Sequence, residues 1–289
     1  MQAGFIGLGN LGIAIAENLL MHRQPLYVYN RTAAKAQPLV EKGAVICTSV
    51  KELAATCDVV ISIVSDDAAL RHITEGPEGI AANLKAGGIH VCMSTILPAT
   101  ATSLEIVHQQ HGNHYITAPL MGRPDAARAR KLNFLVSGDN AALEQVKPLL
   151  TEAGGAAIWE FGEAVSAGAA AKLCSNFLVL SSVTAMAEGI QLARQSGIDP
   201  AQWLQMLTST LFSGPVHQGY GAALLKEGHQ PAGFSLKLAL KDANLIIAQS
   251  QNAHAAMPVG KQVQTLLQQA VAEGFGDYDV TSVKDAIRD

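Results

Sequence analysis

Three glycines close to the N-terminus constrain this chain more than any other feature. The segment Phe5-Ile6-Gly7-Leu8-Gly9-Asn10-Leu11-Gly12 sets Gly7, Gly9 and Gly12 in a G-x-G-x-x-G spacing. A strand-like run (Gly4 to Ile6) precedes them and an amphipathic run through Ala16, Asn18 and Leu19 follows. In that context each glycine has a separate task. Gly7 permits the tight turn out of the strand, Gly9 lets backbone approach a pyrophosphate, and Gly12 lets the helix pack against the strand. The helix N-terminus then offers N–H groups to phosphates. The whole turn, with Leu8, Asn10 and Leu11 between its glycines, reads as a dinucleotide-binding loop and makes the chain a candidate oxidoreductase.

The second strand bears on which dinucleotide. Leu26-Tyr27-Val28-Tyr29 runs into Asn30-Arg31-Thr32, and Asn30 stands where an NAD-preferring fold places an acid on the ribose 2′-hydroxyl. In place of that acid come a neutral Asn30, then Arg31 and Thr32, then Lys35. A guanidinium with a second cation nearby suits a 2′-phosphate. Cations at the start of a helix also oppose its dipole and so ask for an anion, although a solvated helix start would look the same. The expectation is NADP in preference to NAD, with Asn30, Arg31, Thr32 and Lys35 at the ribose.

Beyond this turn, strand-like and helix-like segments alternate through the first half. Strands are expected near residues 3 to 7 and 26 to 30, then at Ala44 to Cys47, Val59 to Val64, His90 to Met93, His114 to Thr117, Asn133 to Ser137 and Ala157 to Phe161, with a helix from Ala141 to Ala153. That alternation predicts a Rossmann-type α/β domain with a mainly parallel sheet. Ligands gather at the carboxyl ends of such strands. Val64-Ser65-Asp66, Ser94-Thr95-Ile96 and the run Pro119 to Arg123 are therefore candidate site segments. After Phe161-Gly162 helical periodicity takes over, first from about Ala167 to Ser196, where most faces are apolar and the helix is expected to be buried. Asp199-Pro200 marks a new helix start, whereas Gly214 to Gly219 and Gly228 to Gly233 are expected to interrupt helices. We divide the chain into a cofactor-binding domain, 1–163, and an all-α domain, 164–289, for substrate and dimerisation.

With 289 residues, 49% hydrophobic and 15% charged, the chain can bury a large core. A net charge of −4 gives no basic field for nucleic acid. No run is expected to approach a membrane span, and the apolar N-terminus lacks a basic leader, so a cytoplasmic location is expected. Cys47, Cys57, Cys92 and Cys174 are scattered without ligand spacing. They are expected to be buried free thiols, with no metal site.

Four segments together resemble the β-hydroxyacid dehydrogenase family, which includes 3-hydroxyisobutyrate dehydrogenases and glyoxylate/succinic semialdehyde reductases. They are Phe5 to Leu19, Ser94-Thr95-Ile96 with Pro98, Gly168 to Asn176, and Phe234 with Leu238-Ala239-Leu240-Lys241-Asp242. The resemblance covers essentially the whole chain, including a 6-phosphogluconate dehydrogenase-type cofactor domain. It implies that Thr95 touches the cofactor, that Ser94 lies near substrate, and that Lys172 transfers the proton with Asn176 one turn on. It also places Phe234 and Lys241 at the cofactor. Read as residues alone, Phe234 fits core equally well, and Lys241 with Asp242 could be an ordinary exposed charge pair.

Lys172 and Asn176 are four apart on a helix, so both side chains can reach one substrate oxygen. Lys172 sits among Ala, Leu, Cys and Val, an apolar setting that would draw its pKa toward neutrality and suit it to protonate a forming alkoxide. The substrate loop departs from the family's Asp-Ala-Pro-Val-Ser-Gly-Gly: here it reads Thr117-Ala118-Pro119-Leu120-Met121-Gly122-Arg123. Met121 makes the pocket less polar, with Gly122 beside it, and Arg123 either grips a substrate carboxylate or else points to solvent or pairs with Asp125. The expected activity is NADPH-dependent reduction of a small aldehyde or keto acid, or the reverse oxidation of a hydroxyacid. An imine reductase on the same scaffold and a non-catalytic cofactor-binding module are the alternatives. The apolar helical half further predicts a homodimer or higher homo-oligomer.

Overall fold

The computed structural model of the protein describes residues 1–228 and 232–287. Six strands, β1 (Ala3–Ile6), β2 (Leu26–Tyr29), β3 (Val45–Ile46), β4 (Val59–Ser62), β5 (Ile89–Cys92) and β6 (His114–Thr117), form one parallel sheet in the order β3-β2-β1-β4-β5-β6. This is the doubly wound order, which reverses between β1 and β4. β1, β4 and β5 are buried along their whole length, which is why they read as continuous apolar runs. Strand alternation sorts their side chains onto two faces: Phe5, Ile61, Val91 and Ile116 enter one core, Ile6, Val60, Cys92 and Tyr115 the other.

A second sheet was not legible as such. β7 (Leu120–Met121), β8 (Leu132–Val136) and β9 (Gly155–Glu160) form a separate three-stranded sheet in which β7 runs antiparallel to β8. Two residues are too few for β7 to show a period of two. A lone antiparallel bridge, Thr117 with Ser137, joins the end of β6 to the end of β8. The helix Asn140–Glu152 lies between β8 and β9, as expected from the sequence.

Contacts divide the molecule into a unit Met1–Lys172 and a second from Leu173 onward. Ser166 to Lys172, which open the helix Ser166–Gln195, thus pack with the sheets. In the second unit Leu180, Val183, Met186 and Ile190 of that helix join Leu204, Leu236, Ile246, Val263 and Leu267 in one core. Those residues come from the helices Pro200–Ser209, Leu236–Asn252 and Pro258–Ala270. Asp199 caps the first by accepting from the Ala201 N–H.

Two sequence expectations need correction. Gly214 to Gly219 is not a loop, because Pro215–Leu225 is helical with Gly214 as its N-cap. Proline at the first helical position starts the element, and interior glycines cost only about 1 kcal/mol each. The statement that no run approaches a membrane span also fails, since Ser166–Gln195 has an 18-residue window of mean hydropathy 1.4. Leu180, Val183, Met186 and Ile190 of this helix enter the helical core, but only 44% of that window is buried, so the expectation of a buried helix holds for one side of it. The expected break at Gly228 to Gly233 spans residues 229–231, which lie outside the described residues.

Candidate active site

The glycine turn sits at the reversal point between β1 and β4. Gly7 has φ +104°, and a Cβ there would stand 2.0 Å from the Ile63 carbonyl oxygen. Gly12 is packed as tightly, since its Cβ would lie 2.0 Å from the Gly7 carbonyl oxygen. Gly9 faces open space and is the N-cap of the helix Asn10–Leu20, which has no side-chain cap. Two crowded glycines shape the turn and the open one leaves its backbone approachable, an arrangement that fits a pyrophosphate at a helix N-terminus. Leu8 is fully buried and Leu11 packs against the core, so these two serve the loop through backbone and anchoring, while Asn10 is exposed.

Asn30 has a role that the sequence did not disclose. Its Oδ1 accepts from the Leu8 N–H at 2.9 Å and its Nδ2 donates to the Thr32 carbonyl at 2.9 Å. The side chain therefore braces the glycine turn against the end of β2. Arg31, Thr32 and Lys35 are exposed, and Arg31 and Lys35 have no side-chain partner among the described residues. Lys35 lies in a short 3-10 turn, Ala33–Ala36.

The carboxyl ends of β4 and β5 are tied together. Ser94 is buried and its Oγ accepts from the Val64 N–H at 2.8 Å. This gives Ser94 a structural bond in addition to the substrate position implied for it. Ser65 Oγ donates to Asp66 Oδ2 at 2.7 Å, and Asp66 caps the helix Asp67–Thr74 through the Ala69 N–H. Asp67 Oδ1 accepts from the Leu97 N–H at 3.0 Å and holds the segment bearing half-buried Thr95. Asp66 ends a strand-end segment that the sequence had singled out, whereas sequence reasoning passed over Asp67; an acid in the first turn of a helix after a strand was the available signal.

Beneath these strands lies a polar chain whose proton positions follow from its partners. Asn113 Nδ2 donates to the Ala81 and Leu84 carbonyls at 2.9 and 3.2 Å, so its Oδ1 must accept from His108 Nδ1. Neutral His108 then accepts at Nε2 from His90 Nδ1, 2.9 Å away, and His90 Nε2 accepts from Ser62 Oγ at 2.8 Å. A proton added to His108 Nε2 would set it donor against donor with His90 Nδ1–H. Burial, and for His90 the adjacent His108, hold both imidazoles neutral: His90 titrates well below the usual histidine range and His108 is pulled down to about 4. The Tyr115 ring stacks on His108 with centroids 5.3 Å apart and meets His90 edge-on at 5.2 Å.

Lys172 is buried, and its ammonium donates to the Leu120 carbonyl at 2.7 Å with Met121 Sδ at 3.4 Å. β7 therefore presents one backbone oxygen and one thioether to this cation. Gly122 follows with φ +147°, where a Cβ would meet Leu132 Cδ2 at 2.5 Å. Half-buried Arg123 is the N-cap residue of the short helix Pro124–Arg128.

Within the helical unit Asn176 is buried and its Nδ2 donates to Asp242 Oδ2 at 2.6 Å. Asp242 is itself buried, and its Oδ1 lies 2.7 Å from Lys241 Nζ as an ion pair that lacks hydrogen-bond alignment. The idea of an exposed charge pair at 241–242 is thereby corrected, because the helix Leu236–Asn252 turns Asp242 inward. Phe234 packs against the helical core and its N–H donates to Asp279 Oδ2 at 3.2 Å. Cys174 is exposed, whereas Cys47, Cys57 and Cys92 are buried as expected. Burial pushes the Cys47 thiol up to about 11 and the Cys57 thiol up to about 12.

The chain is similar to known proteins along its whole length. Residues 2–162 match the family described as the NAD binding domain of 6-phosphogluconate dehydrogenase, and residues 166–287 match that described as NAD-binding of NADP-dependent 3-hydroxyisobutyrate dehydrogenase. The uncharacterized oxidoreductase YfjR of Bacillus subtilis is 34% identical over 100% of both chains. Glyoxylate/succinic semialdehyde reductase 1 of Arabidopsis thaliana is 30% identical over 100% of this chain and 99% of its own. Among solved structures, 3-hydroxyisobutyrate dehydrogenase of Mycobacterium tuberculosis, solved with L-serine, superposes with a TM-score of 0.85 at 25% identity, covering 100% of each chain. A parallel sheet reversing at a glycine turn, a buried lysine at a strand end and full-length similarity to these proteins lead to one conclusion: the chain belongs to the β-hydroxyacid dehydrogenase family of NAD(P)-binding oxidoreductases.

Proposed function

We propose that this oxidoreductase is an NADPH-dependent reductase of a small aldehyde or keto acid, working in the cytoplasm as a homodimer, with Lys172 as proton donor. The observation that carries the reading is the buried Lys172 ammonium, held by the Leu120 carbonyl on the segment that follows β6. A buried ammonium beside a strand is a charged donor suited to meeting an oxygen on which negative charge develops. A reduced nicotinamide dinucleotide held by the glycine turn would supply the hydride for the carbonyl carbon. Lys172 Nζ–H gives a proton to the carbonyl oxygen, and its charge stabilises the alkoxide character that develops there. Asn176 stands one turn further along the same helix, and the Asp242 carboxylate fixes which way its amide faces.

Exposed Arg31 and Lys35, without side-chain partners among the described residues, and neutral Asn30 beside them support NADP over NAD. The homodimer rests on the outer face of the long helix. Leu178 and Leu192 there are 64% and 69% exposed and stand at heptad spacing, with Ala185 midway between them.

The test is initial rates with NADPH and NADH against glyoxylate, succinic semialdehyde, methylglyoxal, tartronate semialdehyde and a cyclic imine. Turnover of an aldehyde or keto acid with NADPH preferred is expected, with kcat lowered about 100-fold or more in Lys172→Ala. Arg31→Ala should raise KM for NADPH about tenfold and leave that for NADH unchanged. Unaltered kcat in Lys172→Ala refutes the proton-donor assignment. Turnover of the imine alone moves the protein to the imine reductases.

A further inference from the structure

We infer that Thr117 and Ser137 are positioning residues for Lys172, a hydroxyl clasp that holds the start of its helix against the junction of the two sheets. Thr117 and Ser137 exchange both backbone hydrogen bonds at 3.0 Å, in the bridge that links β6 to β8. Both side chains are shut away from solvent. Thr117 Oγ1 lies 2.5 Å from the Val165 carbonyl oxygen and 2.7 Å from Ser137 Oγ, while Ser137 Oγ lies 3.0 Å from the same carbonyl and 2.8 Å from the Gly168 nitrogen.

The direction of these bonds follows from what each group can give. Gly168 N–H can only donate, so Ser137 Oγ accepts it. The Ser137 hydroxyl then donates to Thr117 Oγ1, and the Thr117 hydroxyl to the Val165 carbonyl, over the shorter contacts. Ser137 thus performs for the helix Ser166–Gln195 the service of an N-cap, from a distant strand. Gly168 shows how close the seat is: a Cβ there would stand 2.8 Å from the Leu135 carbonyl oxygen, 3.0 Å from Ser137 Oγ and 3.2 Å from Thr117 Oγ1.

Lys172 comes one helical turn after Gly168, and the carbonyl it grips belongs to Leu120, three residues after Thr117. The segment Thr117 to Leu120 and the turn Val165 to Lys172 therefore meet at two points, the clasp and the ammonium. Neither can slide without breaking one of them. The consequence for turnover rests on the reading of Lys172 as proton donor, but the placement of the ammonium does not.

The test uses the full chain in the variants Thr117→Val, Ser137→Ala and Thr117→Ser. The first readout is the rate at which trinitrobenzenesulfonate labels Lys172, followed by peptide mass spectrometry. The second is kcat and KM with NADPH and succinic semialdehyde. Thr117→Val should speed labelling about fivefold and lower kcat about tenfold while KM for NADPH stays within about twofold, as expected of a misplaced catalytic group. Thr117→Ser should restore both. Ser137→Ala leaves the buried Gly168 N–H unsatisfied and could fail to fold, but Thr117→Val keeps the Ser137 cap and decides the matter alone. Labelling of Lys172 that is unchanged in Thr117→Val overturns the clasp, whatever the rates do. If Lys172→Ala keeps its kcat, the proton-donor reading falls while labelling still judges the clasp.

Discussion

One glycine site in each of the two units shows how differently the same residue can be constrained. In the sheet-bearing unit Gly7 and Gly12 are geometrical necessities: Gly7 adopts φ +104° and both touch backbone where a Cβ would be. In the helical unit Gly219 is exposed inside the helix Pro215–Leu225, with nothing within 4 Å of where its Cβ would stand. The polar chemistry differs in the same way. Around the sheets, hydrogen bonds shielded from solvent in part or in full run between segments distant along the chain, as in Asn30 to Leu8, Ser94 to Val64 and the His90–His108 chain. In the core of the helical unit apolar side chains dominate, with the Asn176–Asp242 pair set among them. A backbone-built ligand site tolerates substitution least where atoms are closest to backbone, whereas an apolar helical core is governed by propensity and volume.

The largest expected effect is at Gly7. Gly7→Ala combines a positive φ with a collision against Ile63, and should lower stability by about 3–5 kcal/mol and abolish measurable NADPH binding. Urea unfolding and fluorescence titration would check this. A variant that binds NADPH normally would mean that the turn is not the dinucleotide site.

The next effect is one of pH. His90 and His108 are both held below the unfolded histidine value of about 6.5, so below that pH the unfolded chain binds more protons than the native one. Stability is therefore fully present above pH 6.5 and is lost as pH falls toward the native value of about 4 for His108. That residue alone accounts for about 3 kcal/mol over the window, and His90 adds in the same direction. Unfolding midpoints measured between pH 7 and pH 4 should show the loss, and His90→Leu combined with His108→Leu should flatten it. An equally steep loss in that double variant would assign acid sensitivity to other groups.

The smallest effect carries the opposite sign. Gly219→Ala fills open space on a helix and should stabilise the protein by about 0.5–1 kcal/mol. Thermal unfolding would register a small rise in Tm, and a fall would show that Gly219 is under a constraint like that on Gly7. Together the two glycine substitutions turn the contrast between the units into a measured difference in sign.

Much of this was legible in the sequence, for local reasons. The strand positions, the helix Ser166–Gln195, the start at Asp199-Pro200 and the glycine turn all follow from periodicity, capping and allowed φ, which act over a few residues. The neighbourhood of Lys172 among small apolar residues was legible in the same way. Tertiary structure alone decided what lies beyond that range. Asn30 became a brace because Leu8 folds beside it, Asp242 was turned inward to meet Asn176, and a two-residue strand at Leu120 supplied the oxygen that Lys172 holds. His90 and His108 became one neutral chain only when β5 packed against the helix Pro98–Gln110. Each of these is a hydrogen bond between groups far apart along the chain. A residue's own identity states what it can donate or accept, and only the fold states what stands within 3 Å of it.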